Sequence, residues 1–224
     1  MLDRYRPGPV LMLTALSGWV GGTVAYAAEL TVAVLDRSYE PVPQVAVYAV
    51  PETTPAKMQT PDDAVIDQHD HAFVPHVLVV QIGTAVQFPN TDRVSHHVYS
   101  FSAAKRFELP LYRGDVHPPM IFDEPGVVTL GCNIHDGMLG FILVVETPHF
   151  ALTNERGEVH FDDLPSGTYS LNVWTPRLRG SSLPLPRTVK LEPGGNSRAR
   201  FAFEAKMFPP HDQREGSLSW RDYR

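Results

Sequence analysis

The chain alternates apolar and polar positions in short runs and never sustains a helical period. Leu30 to Leu35 and Gln44 to Val50 read as two strands, the second bounded by Pro41, Pro43 and Pro51. Phe73 to Asn90 is a long valine-rich β segment broken by the turn signal Gly83-Thr84, and His97 to Phe101 follows as another strand. Residues 107 to 119 carry three prolines and Gly114 and read as an irregular crossover. Val127 to Gly131 and Phe141 to Val145 are strands flanking a short polar loop. Beyond Thr147 the turns at 153–157 and 164–169 and the strands Glu158 to Phe161, Ser170 to Trp174 and Arg187 to Glu204 suggest a smaller β unit. Residues 206–224 are polar and proline-bearing, an expected mobile tail.

Twenty-one prolines and sixteen glycines, scattered rather than periodic, suit an all-β chain of short strands. The pattern predicts two β-sandwiches, one over residues 28–146 and a smaller one over 147–205. About sixty residues make a marginal core, so the second is expected to pack on the first.

Arg4 and Arg6, the apolar run from Val10 to Ala25 and the small-x-small pattern Ala25-Tyr26-Ala27 read as a signal peptide over residues 1–27. The protein is therefore expected to be exported to the periplasm, with no membrane span after cleavage. Removing Asp3, Arg4 and Arg6 takes the formal net charge from −6 to −7, and an acidic chain without a basic stripe argues against a nucleic-acid partner. A single cysteine, Cys132, cannot form an internal disulfide, so in an oxidising compartment it must be buried or bound.

The chemistry converges on the polar loop. Cys132 is followed three residues later by His135 and three after that by Met138. A thiolate, an imidazole and a thioether in one loop form a soft donor set that favours copper over hard cations. One more imidazole completes a mononuclear site, and His96 and His97 both offer it. A cysteine–histidine nucleophile pair is the alternative chemistry, but three residues apart on a strand-joining loop these groups suit a shared metal better than proton transfer. His69-Asp70-His71 and His76 could form a second metal site, although solvated histidines are the simpler reading. His117 and Met120 in the crossover are further candidates near the copper, and Glu108 is a candidate fifth, hard ligand.

Phe73-Val74-Pro75, Gly83-Thr84, Val86, Phe88, Asn90 and His96, followed by Cys132, His135 and Met138, resemble the cupredoxin pattern with the short Cys-x-x-His-x-x-Met loop of amicyanin-like members. The stretch from about residue 30 to 146 is also similar to exported cupredoxin-like proteins labelled methylamine-utilisation proteins. The resemblance implies a Greek-key sandwich with one type 1 copper, held by His96, Cys132 and His135 with Met138 axial. His97 then occupies the place of the family's asparagine and stands as the alternative ligand. It also implies a one-electron carrier rather than an enzyme, with a redox partner protein in the periplasm and electrons entering near His135. Rival readings are copper storage, delivery or sensing, and an envelope glycan- or protein-binding module with structural copper. Residues 147–205 resemble carboxypeptidase regulatory-like, prealbumin-type modules of carbohydrate-binding-like fold, on Gly157 to Phe161 and Leu164 to Tyr169. Nothing there forms a lyase site, and Trp174 and Tyr169, on alternating strands, are expected in the core rather than on a sugar.

Overall fold

The computed structural model describes residues 27–53, 63–114, 117–179 and 182–210. The expected signal segment, apart from Ala27, and the tail beyond Pro210 lie outside them. Among the described residues no helix is long and apolar enough to cross a membrane. Seventeen strands among the described residues carry the fold: β1 (Ala27–Leu35), β2 (Ala46–Pro51), β3 (Ala64–Val65), β4 (Asp67–His69), β5 (Ala72–Val74), β6 (Val77–Gln81), β7 (Thr84–Gln87), β8 (His96–Phe101), β9 (Arg106–Tyr112), β10 (Met120–Phe122), β11 (Gly126–Gly131), β12 (Leu139–Val145), β13 (Phe150–Leu152), β14 (Glu158–Pro165), β15 (Gly167–Trp174), β16 (Arg187–Leu191) and β17 (Asn196–Ala202).

The chain is all-β and forms two sandwiches. In the first, a five-stranded sheet of order β6-β12-β11-β8-β9 faces a three-stranded sheet of order β10-β7-β3, with the β4-β5 hairpin beside them. Their core holds Ile66, Phe73, Val86, Phe88, Val98, Val128, Leu130 and Ile142. In the second, sheets of order β14-β1-β17 and β13-β2-β15-β16 enclose Leu30, Val32, Val47, Leu171, Val173 and Phe201.

The expected boundary after residue 146 does not follow these sheets, and this is a correction. β1, expected in the first unit, runs antiparallel to β14 and parallel to β17, and β2 pairs with β13 and β15. The chain thus opens the second sandwich, builds the first as an excursion between β2 and β13, and returns. Alternation in β1 marks which side chains are buried but carries no information about which distant strand it joins.

β12 ties the two units together. All seven of its residues are buried, because it lies inside a sheet covered on both faces. Ile142 and Val144 enter the core of the first sandwich. On the opposite face Leu143 and Val145 meet Ala46, Tyr48, Phe150 and Trp174, while Leu139 and Phe141 complete the contact. Trp174 stands edge-on to Phe141 with ring centroids 5.7 Å apart. The continuous run Leu139-Gly140-Phe141-Ile142-Leu143-Val144-Val145 is the sequence signature of that double burial.

Leu143→Ala removes side-chain volume from the junction without touching either internal core. It is expected to cost about 2–5 kcal/mol. Chemical denaturation should show both units losing stability in one cooperative transition; two separate transitions, with only one shifted, would contradict a shared junction.

Candidate metal centre

β11 and β12 are antiparallel, with Gly131 opposite Leu139, so the seven residues from Cys132 to Met138 close a hairpin at one end of the first sandwich. Within it the Met138 N–H donates to the His135 carbonyl at 3.1 Å, turning the loop back on itself. Cys132 and Met138 are buried, both packed with the core of that sandwich. His96 begins β8, which pairs with β11 through Tyr99 opposite Gly131. Strand pairing therefore brings together residues 36 positions apart.

Three donor atoms converge. His96 Nδ1 and His135 Nδ1 are 3.1 Å apart, Cys132 Sγ lies 3.6 Å from His135 Nδ1, and it lies 3.9 Å from His96 Nδ1. Two nitrogens and a sulfur bonded to one ion at about 2.0–2.3 Å stand about 3–4 Å from one another, so this spacing fits a shared metal. The donor types, two imidazoles and a thiol beside a buried thioether residue, fit copper. Among the described residues His96, Cys132 and His135 form the one group of three or more ligating side chains gathered closely enough to hold an ion.

The other candidates go elsewhere. Successive residues of a strand point to opposite faces. His96 thus shares the core side of β8 with Val98, while His97 turns away and its Nε2 meets Glu108 Oε1 at 2.8 Å. Glu108 is occupied there rather than at the thiol, and its side chain is largely exposed. His117 packs edge-on against Tyr112, with centroids 4.6 Å apart. Met120, on β10, packs at the edge of the core. The group His69, His71 and His76 is not assembled: His69 Nδ1 is 3.2 Å from Thr91 Oγ1 and His76 Nδ1 is 3.0 Å from the Leu139 carbonyl. His71 instead reaches the His96–His135 pair. Tyr169 is buried in the second core, its hydroxyl donating to the Pro165 carbonyl at 2.8 Å, and Trp174 is held in the junction.

Sequence reasoning missed Asp92. Its Oδ2 accepts from His96 Nε2 and from the His71 backbone N–H, each at 2.9 Å, and its Oδ1 accepts from the Arg93 N–H at 2.6 Å. Burial pushes this carboxyl up, but the hydrogen bonds from His71, His96 and Arg93 together outweigh it. They hold it far below the ordinary carboxylate range. An ionised carboxylate only accepts hydrogen bonds, so the His96 proton sits on Nε2 and the lone pair of Nδ1 faces Cys132 and His135. This is how a carboxylate orients a metal-binding imidazole. Asn90 braces the same loop, its amide donating to the Val94 and Tyr112 carbonyls at 3.1 and 2.6 Å. The Asp-x-x-x-His spacing carries no signal of its own outside a helix, and only the folded loop reveals the pair.

Tyr99 lies against the residue that precedes the thiol. A β-carbon on Gly131 would sit 2.7 Å from Tyr99 Cζ, so only glycine lets the ring rest there. Burial raises the Tyr99 hydroxyl above its ordinary pKa, and the nearby Cys132 and Asp136 raise it further.

Asp92→Asn should loosen the His96 tautomer without disturbing the sheet. Nitrogen-15 imidazole shifts of the metal-free protein are expected to show a proton fixed on Nε2 of His96 in the wild type and a tautomer mixture in the variant. A wild-type proton on Nδ1 would contradict the assignment.

No family model matches the chain, and no curated protein matches it. Among solved structures, a purple cupredoxin from Nitrosopumilus maritimus is 25% identical with a TM-score of 0.34, covering 37% of this chain and 100% of that one. A copper-containing nitrite reductase from Thermus scotoductus is 25% identical with a TM-score of 0.36, covering 42% of this chain and 25% of that one. An oxidised amicyanin variant with leucine in place of a methionine is 17% identical with a TM-score of 0.34, covering 44% of this chain and 99% of that one.

Proposed function

We propose that this chain is an exported mononuclear type 1 copper protein that carries one electron at a time, and that His96, Cys132, His135 and Met138 would hold the ion. The observation that carries the reading is the convergence of His96 Nδ1, His135 Nδ1 and Cys132 Sγ within 3.1 to 3.9 Å at one end of a β-sandwich. Bound there, copper would supply a one-electron couple between Cu(I) and Cu(II) in a donor set that suits both states.

The protein's own residues keep that set fixed. Cys132 and Met138 are seated on the first core, Asp92 orients His96, and the β11–β12 hairpin anchors both ends of the loop. A rigid frame resists the change of geometry that would otherwise accompany a change of charge. Water is kept from His96 and Cys132, which are 0% and 5% exposed, whereas His135 is half-buried and beside the exposed Ile134. Electrons would therefore pass at the His135 edge, to and from a periplasmic partner protein. The second sandwich, the prealbumin-type module of this reading, serves as a buttress behind β12. A lineage with methylamine-utilisation-type proteins belongs to the same proposal.

Storage, delivery or sensing of copper would call for an open site, and the burial of His96 and Cys132 favours a closed one. Glycan binding through Trp174 and Tyr169 is disfavoured by the junction and core positions of the two rings.

Visible absorption and paramagnetic resonance of Cu(II)-loaded protein test the assignment. An intense thiolate-to-copper band with narrow hyperfine splitting is expected in the wild type and in His97→Ala, and its loss in Cys132→Ser and His96→Ala. A band that survives His96→Ala, or disappears in His97→Ala with the fold intact, would overturn the ligand set.

A further inference from the structure

The hairpin between β4 and β5 turns through two residues, Asp70 and His71, with φ of +51° and +60°. A two-residue turn with both φ positive favours Asn or Asp at its first position and Gly at its second. Asp70 fits that preference. His71 occupies the glycine position, where a β-carbon strains the backbone. Strain of this kind persists where the surroundings over-determine it, and it gathers at functional sites.

The ring that results from this choice has a definite place. His71 stands edge-on to His135, with centroids 4.8 Å apart and planes at 86°, and edge-on to His96, at 5.8 Å and 89°. Its backbone N–H is bonded to the Asp92 carboxylate that also holds His96, at 2.9 Å in both contacts. One carboxylate therefore fixes the turn and the imidazole together. Burial falls in sequence outward, with His96 buried, His135 half-buried and His71 exposed. His71 is not one of the three side chains whose donor atoms gather, so its ring covers the cluster without joining it.

We infer that the His71 imidazole is a lid on the solvent-facing side of the metal centre, keeping water and small anions from the bound ion and slowing the ion's escape. The inference rests on the copper reading above. With Met138 in the core beneath the loop, the solvent-facing side of the centre is the one an outside ligand can reach unless something fills the space. His135 is half-buried rather than buried, and the exposed His71 ring stands edge-on against it. The strained turn is then the cost of placing a planar polar group where a loop tip would otherwise carry glycine.

Glycine separates this role from a merely structural one, because His71→Gly relieves the turn. The metal-free His71→Gly protein is expected to melt no lower than wild type. Loaded with Cu(II), His71→Gly and His71→Asn should each lose copper to EDTA about 10- to 100-fold faster than wild type. Azide should change the visible spectrum of both variants and leave wild type unchanged. Variants that match wild type in release rate and in azide response, while wild type shows the thiolate-to-copper band, would overturn the lid alone. A wild-type protein that shows no such band would overturn the copper centre and the lid with it.

Discussion

Burial of β12 on both faces is the constraint from which the rest of the structure follows. One face completes the core beneath Cys132 and Met138, and the other receives Tyr48, Phe150 and Trp174 from the second sandwich. A strand held this way has little freedom to slip, because a shift of one residue would exchange its two faces. The loop that carries the thiol springs from its first residue, so the register of β12 against β11 and β6 sets where the thiol, His135 and Met138 stand.

Precision at the donor cluster then comes from polar contacts that hold His96 to a single orientation. Asp92 does this for His96 and at the same time holds the His71 turn in place. The β8–β9 pairing also contributes: between His96 and Val98 its register shifts by an extra residue in β9, near Pro110. Such a bulge ends regular pairing and re-aims a side chain, as bulges beside functional sites commonly do. Proline, lacking an N–H, sits there without leaving a donor unpaired. The face of β8 away from the cluster carries His97, Tyr99 and Phe101 as a ladder of rings, with centroids 5.7 and 5.2 Å apart.

What was legible in the sequence follows the range of each interaction. The all-β character and the loop Cys132-x-x-His135-x-x-Met138 are local, and both can be read from neighbouring residues. That His96 and His97 face opposite ways is local too, but which of them faces the core is not, because Val98 lies on one face and the rings Tyr99 and Phe101 on the other. The sheet membership of β1 and β2 was not legible, since their partners lie more than a hundred residues onward. His71 was hidden because its turn lacks the glycine that announces a two-residue hairpin, leaving the segment to read as solvated histidines. Asp92 was hidden because its link to His96 depends on the path of an irregular loop.

The most direct measurement on the centre is X-ray absorption at the copper edge, taken on the oxidised and the reduced protein. Two nitrogen neighbours and one short sulfur neighbour, nearly unchanged between the two states, are predicted from the buried donor set and its rigid frame. A coordination shell without sulfur, or one that rearranges on reduction, would contradict a closed electron-transfer site built on His96, Cys132 and His135.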